Sequence, residues 1–342
     1  MIEVPILILG HSFLKMLGCL IRASNKNNIK PVLFIASTRP GKEYDNMDES
    51  IFKELTKGLS NYKVAIYNPN NIPALIKEVK KYNCIVGQDL YYHGKIFNSE
   101  TIKKISISAY FDTLHHAVAN KNRMTYSDLM FFPDNHFKDK FGELTNYTGV
   151  SCDIGVPVTD CYKMLEPEDK NIVTFFCPDQ GFITNNTNEK IEKCLLALHE
   201  NKFNIVVKER KNKPWYFKNK KLSSAVTIVK GDNKEYFPYE SLKLINKSIF
   251  CIGGYTTAAV ECHNLEIPYY NIELDKQQSF SQSIHCMKNK YSWAKEKYFS
   301  NNLFDHIEHL KQMKYTQPEQ NKKHFLNSSV SNLIWEKIIE FL

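Results

Sequence analysis

Hydrophobic and polar positions along the chain predict short buried strands that alternate with longer amphipathic helices. Residues 4–9 and 31–36 are apolar over six consecutive positions, which is typical of strands buried on both faces of a sheet. Between them, residues 12–23 carry apolar side chains at the three- and four-residue spacing of an amphipathic helix. This alternation indicates βαβ units and parallel sheets, as in doubly wound α/β folds.

The strands and helices predicted in this way fall into two similar halves. In the first half, strands are predicted at 4–9, 31–36, 62–67, 83–86, 104–110 and 148–154, and helices at 12–23, 48–59 and 72–81. In the second half, strands are predicted at 172–177, 204–208, 225–229, 248–252 and 267–272, and helices at 188–201, 239–245 and 256–264. Each half has the pattern of one Rossmann-like, doubly wound domain.

A polar, acidic segment at 165–170 separates the two halves. It predicts an N-terminal Rossmann-like domain at 1–164 and a C-terminal Rossmann-like domain at 171–325. The last segment, 326–342, ends in an amphipathic helix that is expected to pack back on the N-terminal domain. The two domains are expected to face a central cleft, because such sheets bind ligands at the carboxyl ends of their strands.

Composition places the chain among globular proteins and excludes several classes. Of its 342 residues, 43% are hydrophobic and 24% charged, and no apolar run approaches the roughly 20 residues of a membrane-spanning helix. Nine cysteines without a Cys-x-x-Cys pair favour reduced thiols, and hence a cytoplasmic protein, over a disulfide framework or a zinc site. Motifs of Ser-triad hydrolases, P-loop kinases and zincins are absent, so these enzyme classes are not expected.

The chain also carries an excess of positive charge. Lysine and arginine number 45 against 37 acidic residues, a formal charge of +8, and a dense basic run spans residues 208–221. This excess favours an acidic partner, either a nucleotide-activated substrate or an anionic membrane surface. A lysine-rich surface that only faces water is the alternative. No RNA-recognition signature, helix-turn-helix pattern or zinc finger is present, so no nucleic-acid partner is expected.

Residues 248–271 predict a phosphate-binding turn. A buried strand ends in two glycines, which let the backbone turn sharply and approach a ligand closely. The next residues open a helix, whose unpaired N–H groups and dipole attract phosphate. Glu261, about one helical turn further on, is placed to accept hydrogen bonds from a ribose or sugar hydroxyl. An ordinary strand, turn and capped helix also fits this pattern. The predicted phosphate contacts are Gly254, Tyr255, Thr256 and Thr257.

A second strand of this half ends in positive charge. Lys208 and Arg210 are candidates to neutralise a diphosphate leaving group, a role that a metal plays in other transferases. The chain has no Asp-x-Asp motif, so neither a metal nor another cofactor is expected. The loop after the strand at 172–177 adds Gln180 and Gly181, whose backbone N–H groups are candidates to face a phosphate. A strand that emerges into solvent is the alternative for the basic residues.

Histidines follow two predicted strands of the first half. His115 and His116 come directly after the strand that ends near residue 110, and histidine is suited to take a proton from an acceptor hydroxyl near neutral pH. Asp112 is placed to orient the imidazole. His11 and Ser12 follow the first strand and are candidates for the acceptor side. Loop histidines that only cap or pack are the alternative, and no third residue at a suitable spacing supports a metal site.

Five short motifs follow one another between residues 80 and 275. They are Leu114-His115-His116, Gly155-Val156-Pro157-Val158-Thr159-Asp160, Phe176-Cys177-Pro178, Lys208 with Arg210, and the helix start at 254–257 with Glu261 and Leu265-Glu266-Ile267-Pro268. Their order resembles that of GT-B glycosyltransferases, especially the CDP-glycerol glycerophosphotransferase-like and surface-polysaccharide enzymes. The family's Trp-His-Gly motif keeps a histidine here without the Trp and Gly, and its Lys-x-His-Pro motif keeps Lys208, with Arg210 in place of the histidine.

This resemblance implies a metal-independent transferase of the GT-B type. Such an enzyme moves a sugar or a polyol phosphate from a nucleotide-sugar or CDP-polyol donor to a surface-glycan or lipid-linked acceptor. The C-terminal domain is expected to hold the nucleotide and the N-terminal domain to supply the histidine base. Peripheral contact with an anionic membrane, at its inner face, is also expected. Two alternatives stay open: a nucleotide-sugar 2-epimerase, and a non-catalytic nucleotide- or glycan-binding subunit.

Overall fold

The computed structural model divides the chain into two compact units. The first comprises Met1–Met164 and Lys323–Leu342, and the second comprises Leu165–Lys322. The residues that the structure describes are 1–9, 11–36, 49–68, 71–89, 97, 101–110, 113–114, 117, 126–178, 185–210, 214–231, 239–254, 256–271 and 329–342. Among these ranges, no helix is long and apolar enough to cross a bilayer.

The first unit is built on a seven-stranded parallel sheet. Its strands are β1 (Ile2–Ile8), β2 (Ile29–Ala36), β3 (Lys63–Tyr67), β4 (Cys84–Gln88), β5 (Lys103–Ile107), β6 (Leu129–Phe131) and β7 (Val150–Cys152), in the order β3-β2-β1-β4-β5-β6-β7. The helices described between and after these strands are α1 (His11–Ala23), α2 (Glu49–Thr56), α3 (Ile72–Val79) and α4 (Asn135–Leu144). The strand order reverses between β1 and β4, and this is where open α/β sheets bind ligands.

The second unit repeats this architecture with five parallel strands. They are β8 (Ile172–Phe176), β9 (Ile205–Lys208), β10 (Thr227–Val229), β11 (Ser248–Gly253) and β12 (Tyr269–Asn271), in the order β10-β9-β8-β11-β12. The helices are α5 (Asn185–Glu200), α6 (Lys220–Ala225), α7 (Glu240–Lys247) and α8 (Thr257–Asn264). Here the order reverses between β8 and β11. The predicted fold class, two Rossmann-like α/β units, is confirmed.

Two local predictions need correction. The strand predicted at 104–110 ends at Ile107, because Tyr110 has a left-handed backbone (φ 56°) that cannot continue a strand. The strand predicted at 225–229 begins at Thr227, since residues 220–225 form α6. Residues Pro157–Met164, within and after the Gly155–Asp160 motif, form a 3-10 helix that begins with proline.

The last helix, α9 (Val330–Phe341), packs on the first unit. Trp335 is fully buried, and its indole Nε1 donates a hydrogen bond to the carbonyl of Leu20 in α1 over 2.8 Å. At the other end, the Nζ of Lys103 donates to the carbonyl of Phe341 and lies 4.6 Å from the centre of its ring. A cation at this position also complements the negative end of the helix dipole.

The Gly155–Asp160 motif contacts the first residues of this helix. The Asp160 carboxylate accepts hydrogen bonds from the N–H groups of Val330 and Ser331, both at 2.9 Å, and from the hydroxyls of Ser329 and Ser331 at 2.7 and 2.5 Å. Gly155 has φ 104°, and a Cβ there would lie 3.1 Å from the side chain of Val330. The motif therefore has a structural role, as an N-terminal cap that comes from a distant part of the chain.

Candidate functional site

The carboxyl edge of the second sheet contains the predicted phosphate turn. Strands β8 and β11 are neighbours on either side of the reversal in strand order, and Gly253 pairs with Phe176 at their carboxyl ends. Ligands of open α/β sheets bind in the crevice outside the strands at this position. The turn that follows Gly253, and the start of α8, therefore lie where the fold favours a ligand.

The backbone at this turn is closely packed against residues of the two neighbouring strands, β8 and β12. A Cβ added to Gly253 would lie 2.5 Å from the Oη of Tyr269 and 3.0 Å from the carbonyl oxygen of Phe176, so this position admits only glycine without a rearrangement. The hydroxyl of Tyr269 is buried and donates a hydrogen bond to the carbonyl of Gly254 over 2.5 Å. Tyr269, which sequence patterns did not single out, thus fixes the direction of the turn.

The helix that follows begins with the two predicted hydroxyl residues. Thr256 precedes α8 and accepts a long hydrogen bond of 3.4 Å from the N–H of Ala258, while Thr257 is the first helical residue. Both are half-buried. Glu261 lies one turn later and is fully buried (0% exposed). Its predicted contact with a ribose stays a prediction.

Lys208 is held in a buried ion pair at the end of β9. Its Nζ lies 2.5 Å from the Oε2 of Glu240, at the start of α7, and donates to the carbonyl of Lys230 over 2.6 Å. Lys208 is only 6% exposed, whereas Arg210 is exposed. Glu240 was not predicted as a site residue. The available signal was an acidic side chain in the first turn of a predicted helix, where the helix dipole favours negative charge. An anion bound by Lys208 would therefore compete with the Glu240 carboxylate for the positive charge of the lysine.

The carboxyl edge of the first sheet has a hydrogen-bonded cluster that the sequence did not reveal. The hydroxyl of Thr113 donates to the Oδ1 of Asp89 over 2.6 Å and accepts from the N–H of Ala109 (2.7 Å) and the hydroxyl of Ser108 (3.0 Å). Asp89 follows β4 directly, next to the reversal in strand order, and has φ 41°. Strained backbone of this kind is concentrated at functional sites.

The predicted catalytic residues cannot be placed in this cluster. Asp112, His115 and His116 lie outside the described residues, as do Gln180, Gly181 and Tyr255 of the donor set. His11 and Ser12 are the first residues of α1, directly after β1, but their side chains are not among those described. Leu114 and Ala117, which flank the two histidines, are fully buried.

Two cysteines of the second unit have raised pKa values. Burial raises the pKa of the Cys177 thiol at the end of β8, and it also raises the pKa of the Cys262 thiol in α8. Both thiols therefore stay protonated near neutral pH, unlike a cysteine nucleophile. In the ranges that the structure describes, no group of three or more His, Cys, Asp or Glu side chains is arranged to hold a metal ion.

Solved structures similar to this chain include both glycosyltransferases and 2-epimerases. Arabidopsis thaliana UGT89C1 has a TM-score of 0.64 at 11% identity, over 99% of this chain and 98% of its own. Medicago truncatula UGT71G1, solved with UDP-glucose, has a TM-score of 0.62 at 10% identity, over 99% and 98%. UDP-GlcNAc 2-epimerase of Methanocaldococcus jannaschii, solved with UDP-GlcNAc and UDP, has a TM-score of 0.62 at 12% identity, over 100% of both chains.

Sequence comparison gives no further assignment, since no protein-family model and no curated protein sequence matches the chain. At identities of 10–12%, the structural similarity shows the fold and not the reaction. It extends over both units, and each unit has the parallel sheet of a Rossmann-like domain. The chain therefore has the GT-B fold, as its sequence predicts.

Proposed function

We propose that this chain is a GT-B glycosyltransferase that uses a nucleotide-activated donor. The observation that carries the proposal is the turn at Gly253 and Gly254, which Tyr269 fixes at the strand reversal, directly before a helix that starts with Thr256 and Thr257. Backbone N–H groups at such a helix start bind phosphate. Similar structures contain UDP-glucose or UDP-GlcNAc, which supports a nucleotide-sugar as the donor.

The proposed reaction transfers the sugar to a hydroxyl of a surface-glycan or lipid-linked acceptor. The acceptor oxygen forms a bond to the anomeric carbon as the bond from that carbon to the diphosphate breaks. His115 or His116 takes the hydroxyl proton, with Asp112 in support. The nucleoside diphosphate leaves with the bonding electrons, and Lys208 and Arg210 compensate its charge without a metal ion. Transfer of a polyol phosphate from a CDP-polyol is the other version of this proposal.

A nucleotide-sugar 2-epimerase is the second candidate, and Asp89 favours it. An epimerase has to handle protons on one substrate, which calls for acidic groups and histidines around that substrate, and Asp89 is a buried carboxylate at the strand reversal of the first unit. Incubation of the donor without an acceptor separates the two reactions. An epimer as product would establish the epimerase, whereas a product that needs an acceptor would establish the transferase.

Nucleotide binding is the first test of the donor site. A calorimetric screen of CMP, CDP, UDP, GDP and ADP is expected to find one nucleotide with micromolar affinity. Glu261→Gln keeps the size of this buried side chain and is expected to weaken binding of that nucleotide about tenfold, because one of the two oxygens that accept ribose hydroxyls becomes an NH2 donor. Glu189→Ala, at an exposed site on α5, is the control and should bind normally. No binding by any nucleotide would reject the transferase and favour the glycan-binding subunit.

The histidines test the chemistry separately from binding. His115→Ala and His116→Ala should leave nucleotide affinity unchanged, and at least one of them should lower the transfer rate about 100-fold, a usual loss for a general base. His199→Ala, exposed near the end of α5, is the control. Normal transfer in both variants would show that the base is another residue. Nucleotide binding without turnover in any donor–acceptor pair would identify a non-catalytic subunit.

A further inference from the structure

Residues 208–221 form a basic segment, and most of its described lysine and arginine side chains are exposed. The segment contains seven lysine or arginine residues and one acidic residue, Glu209. Lys208 is paired with Glu240, and the carboxylate of Glu209 accepts the N–H of Trp215 over 2.7 Å. The other basic residues of this segment that the structure describes are all exposed: Arg210, Lys218, Lys220 and Lys221.

An exposed tyrosine lies between these basic residues in the sequence. Tyr216 is 74% exposed, although both of its neighbours are packed against the core of the second unit. Trp215 is only 5% exposed, and its ring meets that of Phe175 edge to face, with the centres 5.5 Å apart. Phe217 is partly buried on the same cluster. The backbone is thus anchored on both sides while the tyrosine side chain projects into solvent.

Two carboxylates hold the backbone of this segment in place. Glu209 accepts the N–H of Trp215, and Glu192 of α5 accepts the N–H groups of Lys218 and Asn219 over 2.7 and 3.0 Å. An aromatic side chain on a fixed backbone loses little conformational entropy when it binds. Tyrosine, with an apolar ring and a polar hydroxyl, is enriched where membrane meets water.

Two of the lysines lie at the start of helix α6, where the helix dipole disfavours positive charge. Lys220 and Lys221 occupy its first turn, where the positive end of the helix dipole disfavours cations. The N-cap is Asn219, whose side chain accepts the N–H of Lys221 over 2.9 Å. Local helix stability therefore does not account for the two lysines, and an anionic partner would be attracted to both.

We propose that Tyr216, Lys218, Lys220 and Lys221, here called the basic–aromatic surface, dock the protein on an anionic lipid bilayer. The lysines meet anionic headgroups, and the ring of Tyr216 enters the interface. A bilayer fits better than single-stranded nucleic acid, which is bound by several stacking aromatics along a groove, whereas Tyr216 is the one exposed aromatic side chain that the structure describes in this segment. This inference does not depend on the proposed reaction.

Vesicle co-sedimentation of the full chain tests the proposal. Binding is expected to phosphatidylcholine vesicles with about 30 mol% phosphatidylglycerol and not to phosphatidylcholine alone, at about 0.1 M salt. The triple variant Lys218→Gln, Lys220→Gln, Lys221→Gln should bind about 100-fold more weakly, because three charges near the lipid surface are lost. Tyr216→Ser should bind about fivefold more weakly and keep the thermal stability of the parent protein, because its side chain is exposed.

Matched variants separate a specific surface from general positive charge. The control triple variant is Lys77→Gln, Lys80→Gln, Lys81→Gln, which removes the same number of charges from exposed positions of the first unit. The control for Tyr216→Ser is Ile66→Ser, which removes an exposed apolar side chain. Both control variants should bind vesicles like the parent protein. The proposal is overturned by equal binding to neutral vesicles, by equal loss in the control triple variant, or by no vesicle binding at all. A single-stranded oligonucleotide that binds where vesicles do not would overturn it in favour of nucleic acid.

Discussion

Replacing Asp160 with alanine is expected to lower the stability of the first unit by about 3 kcal/mol. Its carboxylate accepts four hydrogen bonds at the start of α9, two from backbone N–H groups and two from serine hydroxyls. Alanine would leave both N–H groups without this acceptor, in a buried place where water cannot substitute fully. It would also remove the negative charge that complements the positive end of the helix dipole.

Urea unfolding followed by tryptophan fluorescence measures this effect, because Trp335 lies buried in α9. Asp160→Asn keeps one carbonyl oxygen as an acceptor, so about half of the loss is expected. Asp153→Ala is the matched control, since it removes an exposed carboxylate of the same unit that pairs with Lys138 over 2.8 Å. Surface pairs of this kind contribute less than about 1 kcal/mol. Equal losses in Asp160→Ala and Asp153→Ala would contradict the capping role.

The role of Asp160 shows where sequence patterns reach their limit. The motif Gly155–Asp160 was recognised from its spacing, but its partner Val330 lies 170 residues further along the chain. No local pattern contains such a contact. For the same reason Thr113 and Asp89 were missed, because their hydrogen bond joins residues 24 positions apart. Contacts of this kind follow from the topology of the sheet rather than from neighbouring residues.

Local structure was predicted best where hydrophobic runs are long and continuous. The strands β1, β2 and β8 are almost wholly buried, and their apolar runs identified them within two residues of their bounds. Strand β6 was missed, although its three residues are all apolar and buried. Helix α4 was missed too, although Asp134 caps its start by accepting the N–H of Phe137 over 3.0 Å. A proline followed by a capping aspartate was the available signal.

The strand, glycine turn and helix around Gly253 were predicted because all three follow one another in the sequence. What holds the turn was not predictable, since Tyr269 reaches it from the neighbouring strand β12. The pattern therefore predicts where a ligand is expected, and the structure adds the contacts that fix the backbone there. Those contacts can be tested without knowledge of the ligand.

Gly253→Ala is expected to cost about 2 kcal/mol, because the new Cβ would lie 2.5 Å from the Oη of Tyr269 and 3.0 Å from the carbonyl of Phe176. Tyr269→Phe alone should cost about 1 kcal/mol, through the lost hydrogen bond to the carbonyl of Gly254. Gly142→Ala in α4 is the control: a Cβ there meets nothing within 4 Å, and alanine favours a helix, so stability should not fall.

The double variant Gly253→Ala, Tyr269→Phe gives the sharpest result, because it removes the hydroxyl that the new methyl group would meet. Its cost is expected to be about 1 kcal/mol less than the sum of the two single costs. Urea unfolding of the four proteins in this cycle measures that difference, and strict additivity would contradict the packing described for the turn. Calorimetry with the nucleotide found in the screen adds a second comparison. If the turn holds phosphate, Gly253→Ala should weaken nucleotide binding more than Tyr269→Phe does. The new methyl group displaces the backbone of the turn, whereas Tyr269→Phe only removes a hydrogen bond that restrains it.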